Sequence, residues 1–384
     1  MANIYSPQLT LLEKLDFLPA GLSLAATAIV AAVTGIFRGQ EGASSYPKHV
    51  CYAVLRQSLW RLTPRQHHSM WIIDKDPRAI KPATSSVYKD FAKANAFTPQ
   101  TVDLVDGSQG HWIGNKDAKN VVVYFHGTLP FILFYHSIKL TGIPIGGGFA
   151  LSAYPAHFQF FREILDGLNA SGKDVAFFVL SYSLCPDAVY PTQMKQAVEA
   201  LRYVISTGRS PSNIIIGGDS AGGNLTLAVL SHISHPHSAI APLEISTPLA
   251  GAFTMAPWVT FSHDFPSVKT NASKDMLRED FTTRWGLNYL GGQAKDYYNQ
   301  PYLAPTEWWK GLKTNSLLVL AGSDEILLSS IEEFVKKIKP VVPDLTFIIG
   351  KNEAHDAPIV QRMVGDWSQT QQGEGLRLWL SSRL

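Results

Sequence analysis

The sequence predicts an α/β protein in which a mostly parallel central sheet is flanked by helices. From about residue 100 onwards, short apolar runs rich in β-branched residues alternate with segments of helical period, as expected for strands joined by crossover helices. The runs are apolar almost throughout, which is typical of strands covered by helices on both faces. The chain has 384 residues, 46% of them hydrophobic, and is therefore long enough to bury a large core.

Six apolar runs predict the strands of this sheet, at 121–126, 175–181, 214–218, 252–257, 317–321 and 345–349. Helical periods predict helices at 192–205 and 221–233. Between about residues 261 and 312 the alternation is interrupted by a segment rich in Trp and Tyr. We interpret this segment as a lid-like excursion or as part of a substrate wall.

Three regions are predicted along the chain: an apolar N-terminal segment at 1–40, a helical, cap-type linker at 41–100 and a catalytic domain at 101–384. Residues 17–37 contain no charge, and 21 helical residues reach about 30 Å, the thickness of one hydrocarbon core. The segment before them holds Glu13, Lys14 and Asp16, so it lacks the basic start of a cleavable signal peptide. We therefore expect membrane association through 17–37.

Basic residues dominate the stretch after this apolar segment, and the positive-inside rule then places the following domain on the cytosolic face. The endoplasmic reticulum is one candidate membrane. The alternative is a cytoplasmic protein whose apolar helix packs on its own domain. Pro19, Gly21 and Gly35 within the apolar segment are compatible with this alternative.

Composition excludes several other functions. A net charge of +2 is too small to attract nucleic acid electrostatically, so no nucleic acid is expected as a partner. Cys51 and Cys185 are too few for a disulfide framework or a cysteine metal cluster, so no metal is expected. The glycine-rich stretch 146–148 lacks both the P-loop pattern and the dinucleotide fingerprint, so no cofactor is expected. The oligomeric state is left open.

The motif Gly218-Asp219-Ser220-Ala221-Gly222 joins a predicted strand to a predicted helix. This is the setting of a nucleophile elbow, in which a serine sits on a strained turn with small neighbours. The glycines Gly218 and Gly222 are expected to let the backbone bend, and the helix N-terminus favours a developing oxyanion. Ser220 is thus the predicted nucleophile, and a simple strand-helix turn is the less favoured alternative.

A serine nucleophile needs a histidine base, which a carboxylate in turn orients, and in this arrangement the order is serine, acid, histidine. His355 follows the predicted strand 345–349 in a loop and is the predicted base. Asp324 and Glu325 both follow the strand 317–321. We predict Asp324 as the acid, with Glu325 in reserve.

These stretches resemble the hormone-sensitive-lipase-like group of α/β-hydrolases, called α/β-hydrolase fold 3, and especially its filamentous-fungal members with an apolar N-terminal anchor. The resemblance implies the α/β-hydrolase fold, and the roles of nucleophile, acid and base for Ser220, Asp324 and His355. It covers roughly residues 115–360 and is carried by Ser181 to Asp187 with Tyr190-Pro191, Gly218 to Leu225, Ala256-Pro257-Trp258, Gly322 to Asp324, and Glu353-Ala354-His355.

The family's His-Gly-Gly-Gly-Phe oxyanion loop is split in this sequence. His126-Gly127 ends one strand, but Gly147-Gly148-Phe149 follows only after the apolar insert 128–146. By resemblance, the amides of Gly147, Gly148 and Ala221 form the oxyanion hole. One hypothesis is that the insert is a retained short intron, because its removal restores the motif. The other is a genuine loop that faces substrate or membrane.

The predicted function is hydrolysis of a hydrophobic carboxylic ester through an acyl-enzyme. By resemblance, small acyl esters of sterol-like or specialised metabolites are the expected substrates. The alternative is a catalytically weak or inactive family member that binds a small hydrophobic ligand, which the split oxyanion loop favours and the intact Ser-Asp-His set opposes. Acyl transfer and amide hydrolysis are further possibilities, since the same triad supports them.

Overall fold

The computed structural model describes residues 9–63, 66, 83–127 and 148–384. Its centre is an eight-stranded sheet with the order β1-β2-β4-β3-β5-β6-β7-β8. β2 pairs antiparallel with β1 and with β4, and every other neighbouring pair is parallel. The strands are β1 (Gln100–Asp103), β2 (Gln109–Gly114), β3 (Asn120–Phe125), β4 (Val175–Ser181), β5 (Ile214–Asp219), β6 (Gly251–Met255), β7 (Leu317–Gly322) and β8 (Leu345–Gly350).

Helices flank this sheet, and the helix after β5 packs on β3, β5 and β6 while the last helix packs on β7 and β8. The helices in the described residues are α1 (Leu11–Leu15), α2 (Phe17–Thr34), α3 (Tyr46–Arg61), α4 (Ala83–Ala94), α5 (Pro155–Ala170), α6 (Thr192–Ser206), α7 (Ser220–Ser234), α8 (Pro266–Thr270), α9 (Glu279–Leu290), α10 (Leu328–Ile338), α11 (Ala357–Met363) and α12 (Gln371–Arg383). The predicted fold class, a mostly parallel sheet covered by helices, is confirmed.

The sequence analysis missed the antiparallel strands β1 and β2. β1 is the polar stretch Gln-Thr-Val-Asp and is largely exposed, so it has no apolar run to reveal it. β2 contains Gly110, which ordinarily weakens a strand. The ring of Phe178 on β4 covers this glycine so closely that a Cβ atom there would lie 1.9 Å from it. Tertiary packing, and not local preference, therefore forms this edge of the sheet.

The apolar N-terminal helix packs on α3. Three small or apolar residues of α2 are buried, and polar contacts from α3 reach Asp16 before its start, its middle, and the carbonyl of Ala32 near its end. Arg61 pairs with Asp16, and Gln57 donates to the hydroxyl of Ser23 at 2.7 Å. Within the described residues, Leu11–Phe37 is the one helical stretch long and apolar enough to cross a membrane, and 22% of its most apolar window is buried.

The aromatic-rich segment 261–312 folds onto the edge of the sheet at which the parallel strands end. Trp285 and Tyr289 of α9 are fully buried, and Tyr289 stacks on Phe149 with ring centroids 3.6 Å apart. Arg284 of α9 donates to the carbonyl of Leu59 on α3. The segment thus joins the N-terminal helices to the end of the split glycine loop.

Candidate active site

Ser220 lies where β5 ends and α7 begins, at the position expected of a nucleophile elbow. Its φ is +48°, in the left-handed region that non-glycine residues rarely adopt. Such strain persists only when the surroundings enforce it, and it is concentrated at functional sites. The residue is 6% exposed and begins a helix of 15 residues, whose N-terminal dipole favours negative charge. The backbone therefore holds this side chain out from the sheet.

The flanking glycines have a different role from the one expected. Neither Gly218 nor Gly222 has a positive φ, so the strained turn falls on the serine itself. A Cβ atom would lie 2.3 Å from the carbonyl oxygen of Phe125 at Gly218, and 1.8 Å from it at Gly222. The glycines are required because β3 ends directly against the elbow.

His355 follows β8 and is fully buried. Its Nδ1 lies 2.8 Å from Oε2 of Glu325, which is also buried and follows β7. Because β5, β7 and β8 are parallel, their carboxyl ends lie at one edge of the sheet and bring Ser220, Glu325 and His355 to the same side. A histidine with one nitrogen held by a carboxylate is the arrangement of a general base.

The preference for Asp324 as the acid is not supported by this geometry. The carboxylate of Asp324 accepts from the hydroxyl of Ser323 at 3.2 Å, and no described contact joins it to His355. The backbone turns after β7, and the carboxylate of Glu325 folds back to accept from the amide of Gly322 at 2.7 Å. This turn directs the second of the two adjacent carboxylates at the histidine, so the reserve residue Glu325, and not Asp324, lies within hydrogen-bond distance of His355.

Two further carboxylates surround His355. Oδ2 of Asp356 lies 3.2 Å from Nε2 of His355, yet neither Asp356 oxygen nor that Nε2 has a hydrogen-bond partner among the described residues. Burial alone would lower the pKa of His355, but Asp356, Glu325 and Asp275 outweigh it and raise the pKa to about 9. Burial also raises the pKa of Asp356. The pair therefore retains a proton to higher pH than free histidine.

Asp275 is a site residue that the sequence analysis missed. It accepts from the amide of Ile326 at 2.7 Å and from the amide of His355 at 3.4 Å, so it connects the acid loop to the histidine loop. Burial, with Glu325 nearby, raises the pKa of Asp275 to about 6. It belongs to the aromatic-rich segment, where no sequence pattern marked it.

Asp219, the residue before the nucleophile, belongs to a second buried cluster of polar groups. Its Oδ1 accepts from the hydroxyl of Tyr124 at 2.6 Å and from the amide of Gly127 at 2.8 Å. Its Oδ2 lies 3.4 Å from Nε2 of His157. Burial would raise the pKa of Asp219, but His157 and the two donors outweigh it and lower the pKa. This supporting residue thus anchors the chain just before the split loop.

The structure describes part of the predicted oxyanion hole. Gly148 has a φ of +59° and lines a small cavity with Ser220, while Ala221 is buried directly after the nucleophile. The amide of Gly127 is occupied by Asp219, so it is not a free donor. Gly147 and the insert 128–146 lie outside the described residues.

The cavity at the nucleophile has an apolar wall. It is lined by Gly148, Ser220, Trp258, Leu277, Phe281, Thr282 and Leu327. A more open cleft of about 700 Å³ shares Leu277 with this cavity and has charged residues at its rim, among them Arg56 and Arg278. In the part of the chain that the structure describes, no group of three or more His, Cys, Asp or Glu is placed to hold a metal ion.

A family model described as the alpha/beta hydrolase fold matches residues 145–359, which is more than half of the chain. Steryl acetyl hydrolase 1 of Saccharomyces cerevisiae is 25% identical over 236 residues, covering 59% of this chain and 52% of that protein. Carboxylesterase NlhH of Mycobacterium tuberculosis is 28% identical over 168 residues, covering 43% of this chain and 46% of that protein. The chain thus spans about half the length of these curated relatives.

Solved structures show the same architecture. An esterase of the bacterial hormone-sensitive lipase family superposes with a TM-score of 0.56 at 22% identity, covering 79% of this chain and 92% of that chain. A hormone-sensitive lipase from a metagenome library gives a TM-score of 0.57 at 22% identity, covering 84% and 98%. At these identities the structures show the fold alone. The family match over more than half of the chain establishes that the chain belongs to the α/β-hydrolase fold-3 family, the hormone-sensitive-lipase-like group that its motifs resemble.

Proposed function

We propose that the protein hydrolyses carboxylic esters with Ser220 as nucleophile, His355 as base and Glu325 as the orienting acid. The observation that carries the proposal is the pairing of a strained serine at the end of β5 with a buried His355–Glu325 hydrogen bond of 2.8 Å at the ends of β8 and β7. A histidine held at Nδ1 directs Nε2 toward the proton of a serine hydroxyl. The two halves of the machinery thus occur at the same edge of the sheet.

The proposed reaction proceeds in two steps. The hydroxyl of Ser220 attacks the ester carbonyl as His355 takes its proton, and the alcohol leaves with that proton. Water then attacks the acyl-enzyme with His355 again as base, which releases the acid and regenerates the serine. The amides of Gly147, Gly148 and Ala221 would stabilise the oxyanion of each tetrahedral intermediate.

Hydrophobic esters with a short acyl group are the proposed substrates. The cavity at Ser220 is small and lined by Trp258, Leu277, Phe281 and Leu327, which suits a small apolar group. The curated relatives include a steryl acetyl hydrolase and an acetyl-hydrolase of Streptomyces hygroscopicus, whose names support an acetyl-sized acyl group. The bulkier alcohol would extend toward the open cleft beyond Leu277.

Two measurements test this function. A fluorophosphonate probe should label the wild-type protein and leave Ser220→Ala unlabelled, and an ester panel of increasing acyl length should give the highest kcat/KM at acetyl or propionyl. Labelling no stronger than in the Ser220→Ala control would contradict the proposal and favour a ligand-binding role. Competing alcohols in the ester assay would reveal acyl transfer, because new esters would then form alongside the free acid.

We also propose that α1 and α2 attach the protein to a membrane. Many of their apolar side chains face solvent, among them Leu18 at 73% and Ile29 at 66% exposure, while the opposite face packs on α3. Such a surface is too apolar for water alone to cover. Full-length protein should float with vesicles of neutral phospholipid, and a chain lacking residues 1–37 should remain soluble. Flotation of both forms would contradict the membrane assignment. The basic residues that follow the apolar segment favour a catalytic domain on the cytosolic face.

The insert can be tested at the same site. Its two stems both reach the elbow, because a Cβ atom on Gly127 would lie 2.6 Å from that of Ser220, and Gly148 lines the cavity beside the same serine. We expect deletion of 128–146, which joins His126-Gly127 to Gly147-Gly148-Phe149, to keep or raise kcat. A loss of kcat would favour a genuine loop, and a mature transcript that encodes the insert would contradict the intron hypothesis.

A further inference from the structure

The second residue of α4, Thr84, contacts both chain segments that lead into the split glycine loop. Its Oγ1 accepts from the amide of Ala153 at 2.9 Å, and it lies 3.1 Å from Nε2 of His126. Ala153 comes five residues after Gly148, and His126 comes one residue before Gly127. Thr84 is fully buried, so water does not compete for these bonds. One hydroxyl therefore joins the incoming and outgoing stems of the loop.

The neutral form of His126 sets the direction of the hydrogen bonds in this network. Burial, with His157 nearby, lowers the pKa of His126 to about 3, so the ring is neutral and one of its nitrogens carries no proton. The amide of Ala153 donates to the Thr84 oxygen, and the Thr84 hydroxyl proton then donates to the unprotonated Nε2 of His126. The ring also hydrogen-bonds the backbone of Gly127. Each ring nitrogen of His126 thus has a partner in the neutral form.

The other contacts of His126 leave it little freedom. Its ring stacks on Tyr182 with centroids 4.4 Å apart, and the hydroxyl of Tyr182 donates to the carbonyl of His126 at 2.6 Å. Asp219 holds the next residue through the amide of Gly127. The incoming stem is therefore fixed from three sides. Thr84 forms hydrogen bonds to both stems.

We propose that Thr84 is a positioning residue for the oxyanion hole, which it sets by fixing the distance between the two stems of the glycine loop. The proposal rests on the proposed ester hydrolysis. Removing the hydroxyl takes away the hydrogen bond that Thr84 makes to each stem, at the amide of Ala153 and at Nε2 of His126, and the stems can then relax apart. Gly148, whose amide is a proposed oxyanion donor, lies on the outgoing stem and would shift with it. The transition state is affected more than bound substrate, because only the transition state carries the oxyanion.

Ser85 offers a matched control at the next position of the same helix. Its hydroxyl donates to Gln109 at 2.7 Å and lies 2.9 Å from Nε2 of His111, both on β2. Ser85 is as buried as Thr84 and its network is equally polar, but it fixes α4 to the sheet and has no described contact with the loop stems. Ser85→Ala should therefore lower the thermal stability and leave kcat within about twofold, as for a polar change outside the site.

The test compares Thr84→Val, Thr84→Ser and Ser85→Ala in the full chain. We expect Thr84→Val to lower kcat by about 10- to 100-fold with KM changed less than about threefold, and Thr84→Ser to restore most of the loss. The affinity for a trifluoromethyl ketone, which mimics the tetrahedral intermediate, should fall in proportion to kcat. Thr84→Ala replaces the valine variant if that chain is insoluble.

A kcat of Thr84→Val within twofold of wild type, with a stability loss like that of Ser85→Ala, would overturn the proposal and leave Thr84 as a purely structural residue. Equal losses of kcat in Thr84→Val and Thr84→Ser would also overturn it, because the hydroxyl would then not be the active feature. A wild-type protein with no ester hydrolysis and no fluorophosphonate labelling would instead overturn the proposed function on which it rests.

Discussion

The described residues contain two buried clusters of histidine and carboxylate, and they differ in how fully their polar atoms are bonded. In the cluster next to the nucleophile in sequence, Asp219 accepts two hydrogen bonds and lies 3.4 Å from His157. At the ends of β7 and β8, Nδ1 of His355 is held by Glu325, but its Nε2 and both oxygens of Asp356 lack a hydrogen-bond partner among the described residues.

The difference separates structure from chemistry. A buried carboxylate with a full set of donors is stabilised as an anion, and it holds its neighbours in place. A buried imidazole nitrogen without a partner is costly to the fold, but it is the atom that a serine proton must reach. We therefore propose that the incomplete cluster is the reactive one, and four experiments test this distinction.

The largest expected effect is on the acid of the reactive cluster. Glu325→Gln removes the charge that orients and stabilises the His355 imidazolium, and kcat should fall by about 10³- to 10⁴-fold, as in other triads. Asp324→Asn, one residue away, should reduce kcat less than about fivefold, because the Asp324 carboxylate accepts from Ser323 and has no described contact with His355. Steady-state kinetics of the two variants compare the acids directly, and the reverse ranking would reinstate Asp324.

The next effect is on stability. Asp219→Asn should lower the free energy of unfolding by about 1–3 kcal/mol, because an amide cannot satisfy Tyr124, Gly127 and His157 as the anion does.

Asp356→Asn should change the free energy of unfolding in the opposite direction. The folded-state pKa of Asp356 is raised, so ionisation of this group favours the unfolded chain. Between pH 7 and 9 His355 loses the charge that compensates Asp356 in the wild-type protein. The free energy of unfolding of Asp356→Asn should therefore increase relative to wild type over this pH range. Urea unfolding at both pH values measures this, and destabilisation by both substitutions would remove the distinction.

The pH dependence of kcat/KM is the third test. His355 acts as a base only when neutral, and its pKa of about 9 places the rise in activity well above the range of free histidine. Asp356→Asn removes the carboxylate nearest Nε2 and should shift this rise to lower pH by roughly one unit. The same midpoint in both proteins would show that Asp356 does not hold the proton on the pair.

The smallest effect is expected at His157. Its contact with Asp219 is long at 3.4 Å, and Tyr124 and Gly127 remain as donors when it is lost. His157→Gln should lower stability by about 1 kcal/mol and kcat less than about threefold. A loss as large as that of Asp219→Asn would show that the histidine is the dominant partner of this carboxylate.

Much of the fold could be predicted from the sequence because the parallel strands are buried on both faces and read as uninterrupted apolar runs. The six predicted strands correspond to β3 to β8 with shifts of at most a few residues at their ends. The edge strands β1 and β2 could not be predicted, because they depend on partners such as Phe178 that are distant in sequence.

The positions of candidate site residues could be predicted where they depend on strand ends. They could not be predicted where they depend on how a turn orients its side chains. Ser220 follows β5 directly and His355 lies in the loop after β8, so both are at the same edge of the sheet. The choice between Asp324 and Glu325 depends on how the turn after β7 rotates adjacent side chains, which a one-residue difference in sequence does not reveal. Asp275 and Thr84 reach the site from segments whose local patterns carry no chemical motif.

The closeness of the two loop stems has a consequence for how this enzyme family can vary. Thr84 bonds to residues on both sides of the split motif, so the chain leaves the site and returns to it at nearly the same place. The entropy of closing a connection between two adjacent points grows slowly, by only about 0.6 kcal/mol for each doubling of length. Additional residues can therefore be acquired at this position with little thermodynamic resistance from the fold, and natural selection on turnover, not on stability, would decide whether they are kept.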